Sequence, residues 1–289
     1  MIVVAGGTGR LGSRVVHRLV AQGESVRTLS RGHVGAHLPA GVEMVRGDVC
    51  RPADLDRALV DARLVVSAVQ GMVGKEVSPQ SVDHDGNLEL IRAARRAGAD
   101  VVLMSISGAS ATHPLEVARM KYAAERALVA SGASFTMVRA SAFAELWAEI
   151  VAQTAGRGRR PLVFGNGDRP IWWVSVDDVA EATVRVVLDP SYRGRTVEVV
   201  GPEGVTLTGL TSAVMRARGW PGRPRRVPRL ALRVGAAVVG PLKPQVGTMM
   251  RASLAMDASP PDDPEVTRRD FPGLSPAHLA EVLARRSAL

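Results

Sequence analysis

Three glycines at intervals of three residues follow the first apolar run of the chain. Ile2–Ala5 predicts a buried strand, and Gly6, Gly9 and Gly12 come directly after it, with a helical pattern from Arg10. A glycine loop between a strand and a helix lets the backbone approach a pyrophosphate, which the helix N-terminus then binds. This context predicts a dinucleotide site, and the alternative is an ordinary tight turn. The predicted contacts in this loop are Gly6, Thr8, Gly9, Arg10, Leu11 and Gly12.

The end of the second predicted strand carries an arginine where NAD-binding folds place an acid. In those folds a carboxylate about 20 residues beyond the glycines binds the ribose 2′-hydroxyl. Residues 28–31 contain no carboxylate. Arg31 can pair with a 2′-phosphate through two parallel hydrogen bonds, and Arg10 can add a second positive contact. We therefore predict NADP(H) in preference to NAD(H), and the alternative is that Arg31 is a solvated loop residue.

Two further strand ends supply candidate cofactor contacts. Asp48 follows the third predicted strand and either binds the adenine amino group or caps the next helix. Small residues end the fourth predicted strand and let the backbone pass close to the cofactor ribose. The cofactor contacts predicted at these two ends are Asp48, Val49, Ala68, Val69 and Gln70.

The composition excludes several classes of protein. With 46% hydrophobic and 22% charged residues, the 289-residue chain is neither disordered nor collagenous. The single cysteine, Cys50, allows no internal disulfide. The six histidines lack metal-ligand spacing, so no metal site is predicted.

We attribute the net charge of +9 to solvated arginines on the protein surface and not to a binding site for an anionic polymer. Basic residues occur in both halves, and the first 121 residues contain no aromatic ring to stack on a base, so we predict no nucleic-acid partner. The apolar run 234–242 is too short to span a bilayer, and no signal peptide is recognised. We therefore expect a cytoplasmic monomer or homodimer that binds a small molecule and no membrane.

Short apolar runs alternate with helical patterns through the first 140 residues. The predicted strands are 2–5, 25–30, 42–45, 64–69, 101–105 and 135–138, and the predicted helices are 10–22, 52–60, 81–97 and 115–130. This alternation predicts an α/β fold with a Rossmann-type, doubly wound parallel sheet.

After residue 140 the pattern is looser. It predicts helices at 142–155, from Asp177 or Asp178 to 188, at 208–218, at 229–239 and from a cap at Ser275, with a loop at 156–167 and a strand at 196–200. We predict an NADP(H)-binding domain over 1–140 and a smaller substrate-binding region over 141–289, with 174–200 returning to the main sheet.

Several motifs in order resemble the short-chain dehydrogenase/reductase superfamily, and most closely its atypical, NmrA-like branch. The motifs are the glycine loop, Arg31, 47–49, Val82 and Asp83 with Gly86, 105–108, Lys121 with Glu125, 139–143 and 176–180. The resemblance covers residues 1 to about 210. It implies a Rossmann domain, a smaller C-terminal substrate domain and usually NADP(H).

The resemblance also identifies a departure at the reaction centre. Standard members of the superfamily place Tyr-x-x-x-Lys on the helix after the fifth strand. Lys121 matches the lysine, whereas Val117 occupies the tyrosine position. Tyr122 cannot substitute, because neighbours on a helix point about 100° apart. The resemblance implies that Lys121 binds the nicotinamide ribose and polarises or protonates a substrate oxygen, and the alternative is a plain helix lysine paired with Glu125.

Substrate contacts are predicted in both halves. Ser105 or Ser107, at the end of the fifth predicted strand, either hydrogen-bonds a substrate carbonyl or satisfies local backbone groups. All ten aromatic residues lie from Tyr122 onward, which favours a pocket for a flat, apolar substrate in the second half. Core packing is the alternative for each candidate wall residue, namely Phe143, Trp147, Trp172 and Trp173.

These residues predict an NADPH-dependent reductase that acts on a quinone, an enone or a carbonyl compound without the usual tyrosine. The first alternative is a non-catalytic NADP(H)-binding redox sensor that signals to a protein partner. The second is an enzyme like the sugar-nucleotide epimerases, which is weaker because that chemistry depends on the tyrosine.

Overall fold

The computed structural model describes residues 1–32, 37–72, 77–238, 250, 252, 254–255 and 262–287. The chain divides into two units. Unit 1 comprises Met1–Thr112, Glu116–Ala140 and Val176–Val199. Unit 2 comprises His113–Leu115, Ser141–Ser175 and Val200–Leu289.

Unit 1 is built on seven parallel strands in the order β3-β2-β1-β4-β5-β6-β9. Except on the edge strand that contains Met44, their apolar side chains are largely buried on both faces, as expected for a sheet covered by helices on each side. The fold is therefore the predicted Rossmann-type α/β sheet. The strands are β1 Ile2–Ala5, β2 Val26–Ser30, β3 Glu43–Arg46, β4 Leu64–Ser67, β5 Asp100–Ile106, β6 Phe135–Ala140 and β9 Thr196–Val199.

The helices of unit 1 follow the predicted apolar stripes. They are α1 Arg10–Ala21, α2 Pro52–Ala58, α3 Asn87–Ala97, α4 Glu116–Ser131 and α6 Val176–Leu188. A π-helical segment, Pro79–Gly86, precedes α3, so the predicted helix 81–97 is a π-helix followed by an α-helix. Gly98 ends α3 in the left-handed conformation, with φ +67°, which glycine adopts without strain.

The strand order places a switch point beside β1. The chain runs from β1 to β2 on one side, whereas β4 pairs on the other side of β1. Ligands of open α/β sheets bind outside the carboxyl ends of the strands at this point. A ligand-binding site is therefore expected at the carboxyl ends of β1, β2, β4 and β5.

Unit 2 contains the shorter elements. Its helices are α5 Ala144–Gln153, α7 Leu207–Ala217, α8 Arg229–Val238, α9 Glu265–Asp270 and α10 Leu279–Ser287. Its strands are β7 Leu162–Phe164, β8 Pro170–Trp172, β10 Gly204–Thr206 and β11 Arg225–Val227. Strand β8 pairs antiparallel with β10, and β7 pairs parallel with β11.

Two local predictions beyond residue 140 are wrong, and one helix has no predicted counterpart. The predicted loop 156–167 contains strand β7, which pairs with β11, 63 residues further along the chain. The final helix begins at Leu279, after Ser275. Helix α9 was not predicted, because its six residues are too few for a helical apolar pattern. The last residue of the predicted helix 229–239 lies outside the described residues.

Among the described residues, none of the helices combines the length and the apolar character that crossing a bilayer requires.

Candidate cofactor site

The loop between β1 and α1 has no room for side chains at its glycines. A Cβ on Gly6, where φ is +81°, would lie 2.7 Å from the Ala68 carbonyl oxygen. A Cβ on Gly12 would overlap the Gly6 carbonyl oxygen. That oxygen also accepts a hydrogen bond of 2.9 Å from Gly9 N–H. The loop is therefore a tight backbone turn. Side chains at Gly6 and Gly12 would clash with neighbouring backbone atoms, so these positions require glycine.

The start of α1 is suited to an anion. Gly9 is the N-cap, and within the described part of the chain no side chain caps it and no acid lies in the first turn. Thr8 Oγ1 lies 2.6 Å from Ser30 Oγ, which links the loop to the end of β2. Leu11 is buried, so only its backbone can meet a ligand. An uncapped helix N-terminus behind a glycine turn fits a pyrophosphate.

Two exposed arginines flank the end of β2. Arg31 follows the strand, and Arg46 on β3 is paired in register with Ser30. The Arg46 Nε lies 3.2 Å from where a Cβ on Gly32 would be. Neither arginine has an ion-pair partner within the residues that the structure describes. The sequence did not reveal Arg46, because only the β2–β3 pairing brings it beside this strand end.

Asp48 forms a local turn after β3. Its Oδ1 accepts a hydrogen bond from Cys50 N–H at 2.9 Å, and its own N–H donates to Asp54 Oδ2 at 2.9 Å. Arg51 is the N-cap of α2, so Asp48 is not the helix cap that the sequence allowed. Val49 is buried in the core of unit 1.

The thiol of Cys50 is not an activated nucleophile. Its Sγ donates to the Ser81 carbonyl oxygen at 3.1 Å. Burial and the nearby Asp48 carboxylate raise the pKa of Cys50 to about 11. The thiol therefore stays protonated at neutral pH, and thiolate chemistry is not available to this site.

Lys121 is buried at the carboxyl ends of β4 and β5. Its Nζ donates to the carbonyl oxygens of Met104 at 3.0 Å and Val69 at 3.3 Å. Asp83 Oδ1 also lies 3.0 Å from Nζ, an ion pair whose angle falls outside the hydrogen-bond range. The Lys121 side chain is 6% exposed and that of Asp83 is fully buried. Three oxygens of unit 1 therefore surround the ammonium group.

Asp83 belongs to a larger buried polar network. Its Oδ2 accepts from Gly71 N–H at 2.8 Å, and its carbonyl oxygen accepts from Asn87 Nδ2 at 2.8 Å. Asn87 Oδ1 accepts in turn from Ser67 Oγ at 2.5 Å. The motif formed by Val82, Asp83 and Gly86 includes this aspartate. Its pairing with Lys121 was not predicted, because the two residues lie on different helical elements.

Glu125 does not pair with Lys121. It forms two hydrogen bonds with Arg139 on β6, at 2.7 and 3.0 Å, and raises the pKa of that guanidinium further. The alternative of a plain Lys121–Glu125 pair is therefore wrong. Arg139 also lies 3.6 Å from Glu198 on β9, and Glu198 accepts a hydrogen bond from Ser107 Oγ at 2.9 Å.

The two candidate serines differ in their surroundings. Ser107 is bonded to Glu198, whereas Ser105 is 5% exposed and its Oγ has no hydrogen-bond partner. This absence of a partner for Ser105 Oγ applies to the described part of the chain. Because side chains alternate along a strand, Ser105 faces the same way as the core residues Val101 and Leu103. Ser105 is therefore a buried hydroxyl near the end of β5, with its hydrogen-bonding capacity unused by the described residues.

The remaining predicted cofactor contacts lie after β4. Ala68 approaches the glycine loop, and Val69 is bonded to Lys121 through its carbonyl oxygen. Gln70 is exposed. These positions and the loop residues therefore belong to neighbouring strand ends of one sheet.

The predicted substrate aromatics lie in unit 2, and two of them are core residues. Trp147 and Trp173 are buried, with ring centroids 6.0 Å apart, and Trp173 Nε1 donates to the Val205 carbonyl oxygen at 2.7 Å. Phe143 and Trp172 are half-buried. Trp147 and Trp173 are therefore core residues of unit 2, which was the alternative to a role in the substrate pocket.

Comparisons with known proteins agree with this geometry. Residues 6–190 match the profile of the NAD(P)H-binding family. The NAD(P)H azoreductase of Xenophilus azovorans is 29% identical over 77% of this chain and 76% of its own length. A photosystem II assembly factor of Synechocystis sp. is also 29% identical, over 80% of this chain and 72% of its own length.

Solved structures show the same fold. The NADPH-dependent quinone oxidoreductase of Escherichia coli, complexed with NADPH, has a TM-score of 0.79 at 20% identity and 99% coverage of both chains. Because the match covers residues 6–190 and includes the glycine loop, this chain belongs to the NAD(P)H-binding family.

Proposed function

We propose that this protein is an NADPH-dependent reductase of small acceptors such as quinones and enones. The observation that carries the proposal is the glycine turn at the start of α1, with Arg31 and Arg46 beside the end of β2. The similarity to an azoreductase and the fold shared with a quinone oxidoreductase support it. Hydride donation is the chemistry that the reduced cofactor supplies when bound.

Arg31 and Arg46 favour the phosphorylated cofactor. A ribose 2′-phosphate at the end of β2 would meet two guanidinium groups, the Gly32 backbone and the Ser30 hydroxyl. No acid is available in residues 28–32 to accept a bare 2′-hydroxyl. Two arginines without an ion-pair partner among the described residues favour a phosphate, because charge-assisted hydrogen bonds to a phosphate are the stronger ones.

The double variant Arg31→Ala with Arg46→Ala is expected to lose the preference for NADPH. Binding of NADPH and of 2′,5′-ADP should weaken about 10- to 100-fold in calorimetric titrations, since a charge-assisted hydrogen bond contributes about 1.5–3 kcal/mol. NADH affinity should change little. Arg95→Ala, an exposed arginine on α3, is the matched control. Equal losses for NADPH and NADH would contradict the assignment.

The acceptor class follows from the groups around Lys121. Reduction of an isolated carbonyl creates an alkoxide, which needs a proton from a positioned acid. Here the tyrosine position holds Val117, which is buried, and the Lys121 ammonium is surrounded by three oxygens. A quinone or an enone accepts hydride to give an anion delocalised over several atoms, and solvent can protonate that anion later. We therefore assign such acceptors, with Ser105 as hydrogen-bond donor to the acceptor oxygen.

A panel assay tests this function. NADPH oxidation should be fastest with quinones, slower with enones and negligible with small aldehydes. Ser105→Ala should lower kcat/KM substantially, by up to the roughly 100- to 1,000-fold effect of losing one donor to a developing oxyanion. Ser107→Ala, whose hydroxyl is bonded to Glu198, is the matched control. Turnover of aldehydes but not of quinones would overturn the acceptor assignment.

One observation favours a second candidate, a non-catalytic NADP(H)-binding protein. The catalytic tyrosine is replaced by Val117, and Lys121 is bonded within unit 1. The similar photosystem II assembly factor is named for assembly and not for reduction. The same panel separates the two candidates, because tight NADPH binding with no acceptor turned over would select the non-catalytic protein.

A further inference from the structure

The net charge of the chain originates in one segment. Residues 204–256 contain nine basic side chains and no acidic one. The rest of the chain has 28 basic and 28 acidic residues, so the whole net charge of +9 comes from these 53 residues. The basic excess is therefore concentrated in unit 2, although arginines occur throughout the sequence.

Helix α8 presents an apolar face to solvent in the middle of this segment. Leu230, Val234 and Val238 are spaced four residues apart and are 72%, 55% and 64% exposed. Leu232 on the opposite face is fully buried. A helix of a globular protein normally turns its apolar stripe toward the core, so a second, exposed stripe marks an interaction surface.

Arginines accompany this stripe. Arg233 lies within α8 and is exposed, and Arg223 and Arg225 are exposed just before the helix. None of these three forms an ion pair within the part of the chain that the structure describes. The neighbouring Arg226 is held by Asp168 at 2.9 Å. Residues 223–238 therefore combine exposed arginines that have no ion pair among the described residues with exposed aliphatic side chains on α8.

We propose that this basic apolar surface, residues 223–238, docks on an anionic lipid bilayer. Aliphatic side chains on one helix face with arginines beside them are the composition of helices that lie in the membrane interface. Such a helix needs no spanning length, so the short apolar run that excluded a membrane span does not bear on it. A nucleic-acid partner fits less well, because the α8 stripe offers aliphatic side chains and no ring to stack on a base.

Vesicle sedimentation of the full chain tests the proposal. We expect binding to vesicles of phosphatidylcholine and phosphatidylglycerol in equal parts, at least tenfold weaker binding to phosphatidylcholine alone, and weakening as salt is raised. Leu230→Glu with Val234→Glu should reduce binding at least tenfold. Val60→Glu, at an exposed apolar residue of unit 1, is the matched control.

A charge variant provides an independent measurement. Arg225→Gln with Arg233→Gln should weaken binding to the anionic vesicles several-fold, whereas Arg92→Gln with Arg95→Gln on α3 should not. NADPH binding should be unchanged in all variants, which shows that they are folded. Equal sedimentation with both lipid compositions, or binding of duplex DNA without binding of anionic vesicles, would overturn the proposal.

Discussion

Lys121→Met is expected to destabilise the protein by about 3–5 kcal/mol. The substitution leaves the fully buried Asp83 carboxylate without its cation, and removing one partner of a buried ion pair costs about this much. It also leaves two carbonyl oxygens, of Met104 and Val69, without their donor. Urea unfolding followed by circular dichroism measures the change in the free energy of unfolding.

The double variant Lys121→Met with Asp83→Asn separates the pair from the lysine alone. Asparagine keeps an oxygen that can accept from Gly71 N–H but carries no charge, so much of the lost stability should return. If Lys121→Met alone is as stable as the unmodified protein, the ion pair is not a structural element of this fold. Glu125→Gln, which disturbs the separate bond to Arg139, is the control. Asp83→Asn should not restore the stability that Glu125→Gln loses.

The same two variants address the role of Lys121 toward the cofactor. The lysine joins the ends of β4 and β5 through Val69 and Met104, and it joins both to Asp83 before α3. If it acts by positioning these strand ends, the stable double variant should bind NADPH weakly and show a raised KM with a smaller change in kcat. If Lys121 is a proton donor, the double variant should bind NADPH normally and lose kcat.

Gly12→Ala is expected to weaken NADPH binding about 10- to 100-fold. The new Cβ would overlap the Gly6 carbonyl oxygen, so the turn that we propose as the pyrophosphate site must open. Overpacking of this kind costs about 1–3 kcal/mol, and the cost falls on the loop that we propose binds the cofactor. Quenching of tryptophan fluorescence by NADPH measures the dissociation constant.

A control glycine makes this result specific. At Gly158 a Cβ would meet nothing within 4 Å, and the backbone is not in the left-handed region. Gly158→Ala should therefore leave both NADPH binding and stability nearly unchanged. Unchanged NADPH affinity in Gly12→Ala would show that the glycine turn is not the pyrophosphate site.

The sequence predicted the elements of unit 1 because its signals are local. Apolar runs bounded by turn residues mark each strand, and glycines such as Gly98 mark helix ends, so most boundaries lie within two residues of those observed. The glycine loop was equally readable, because its strand, turn and helix are contiguous. The return of β9 to the main sheet also followed from its apolar run.

The partners of the polar side chains were decided by tertiary structure. Pairing of β2 with β3 places Arg46 beside the end of β2. Lys121 on α4 pairs with Asp83 on the π-helical segment. Glu125 pairs with Arg139 on β6 and not with Lys121, which lies one turn away on the same helix. A charged side chain pairs with the opposite charge that the fold places nearest. When the side chain is buried, leaving it without a partner costs several kcal/mol. Sequence spacing reports only neighbours on one element, so the sequence by itself determined the fold and the position of the glycine turn. Which residues complete the site depended on how the parallel strands align.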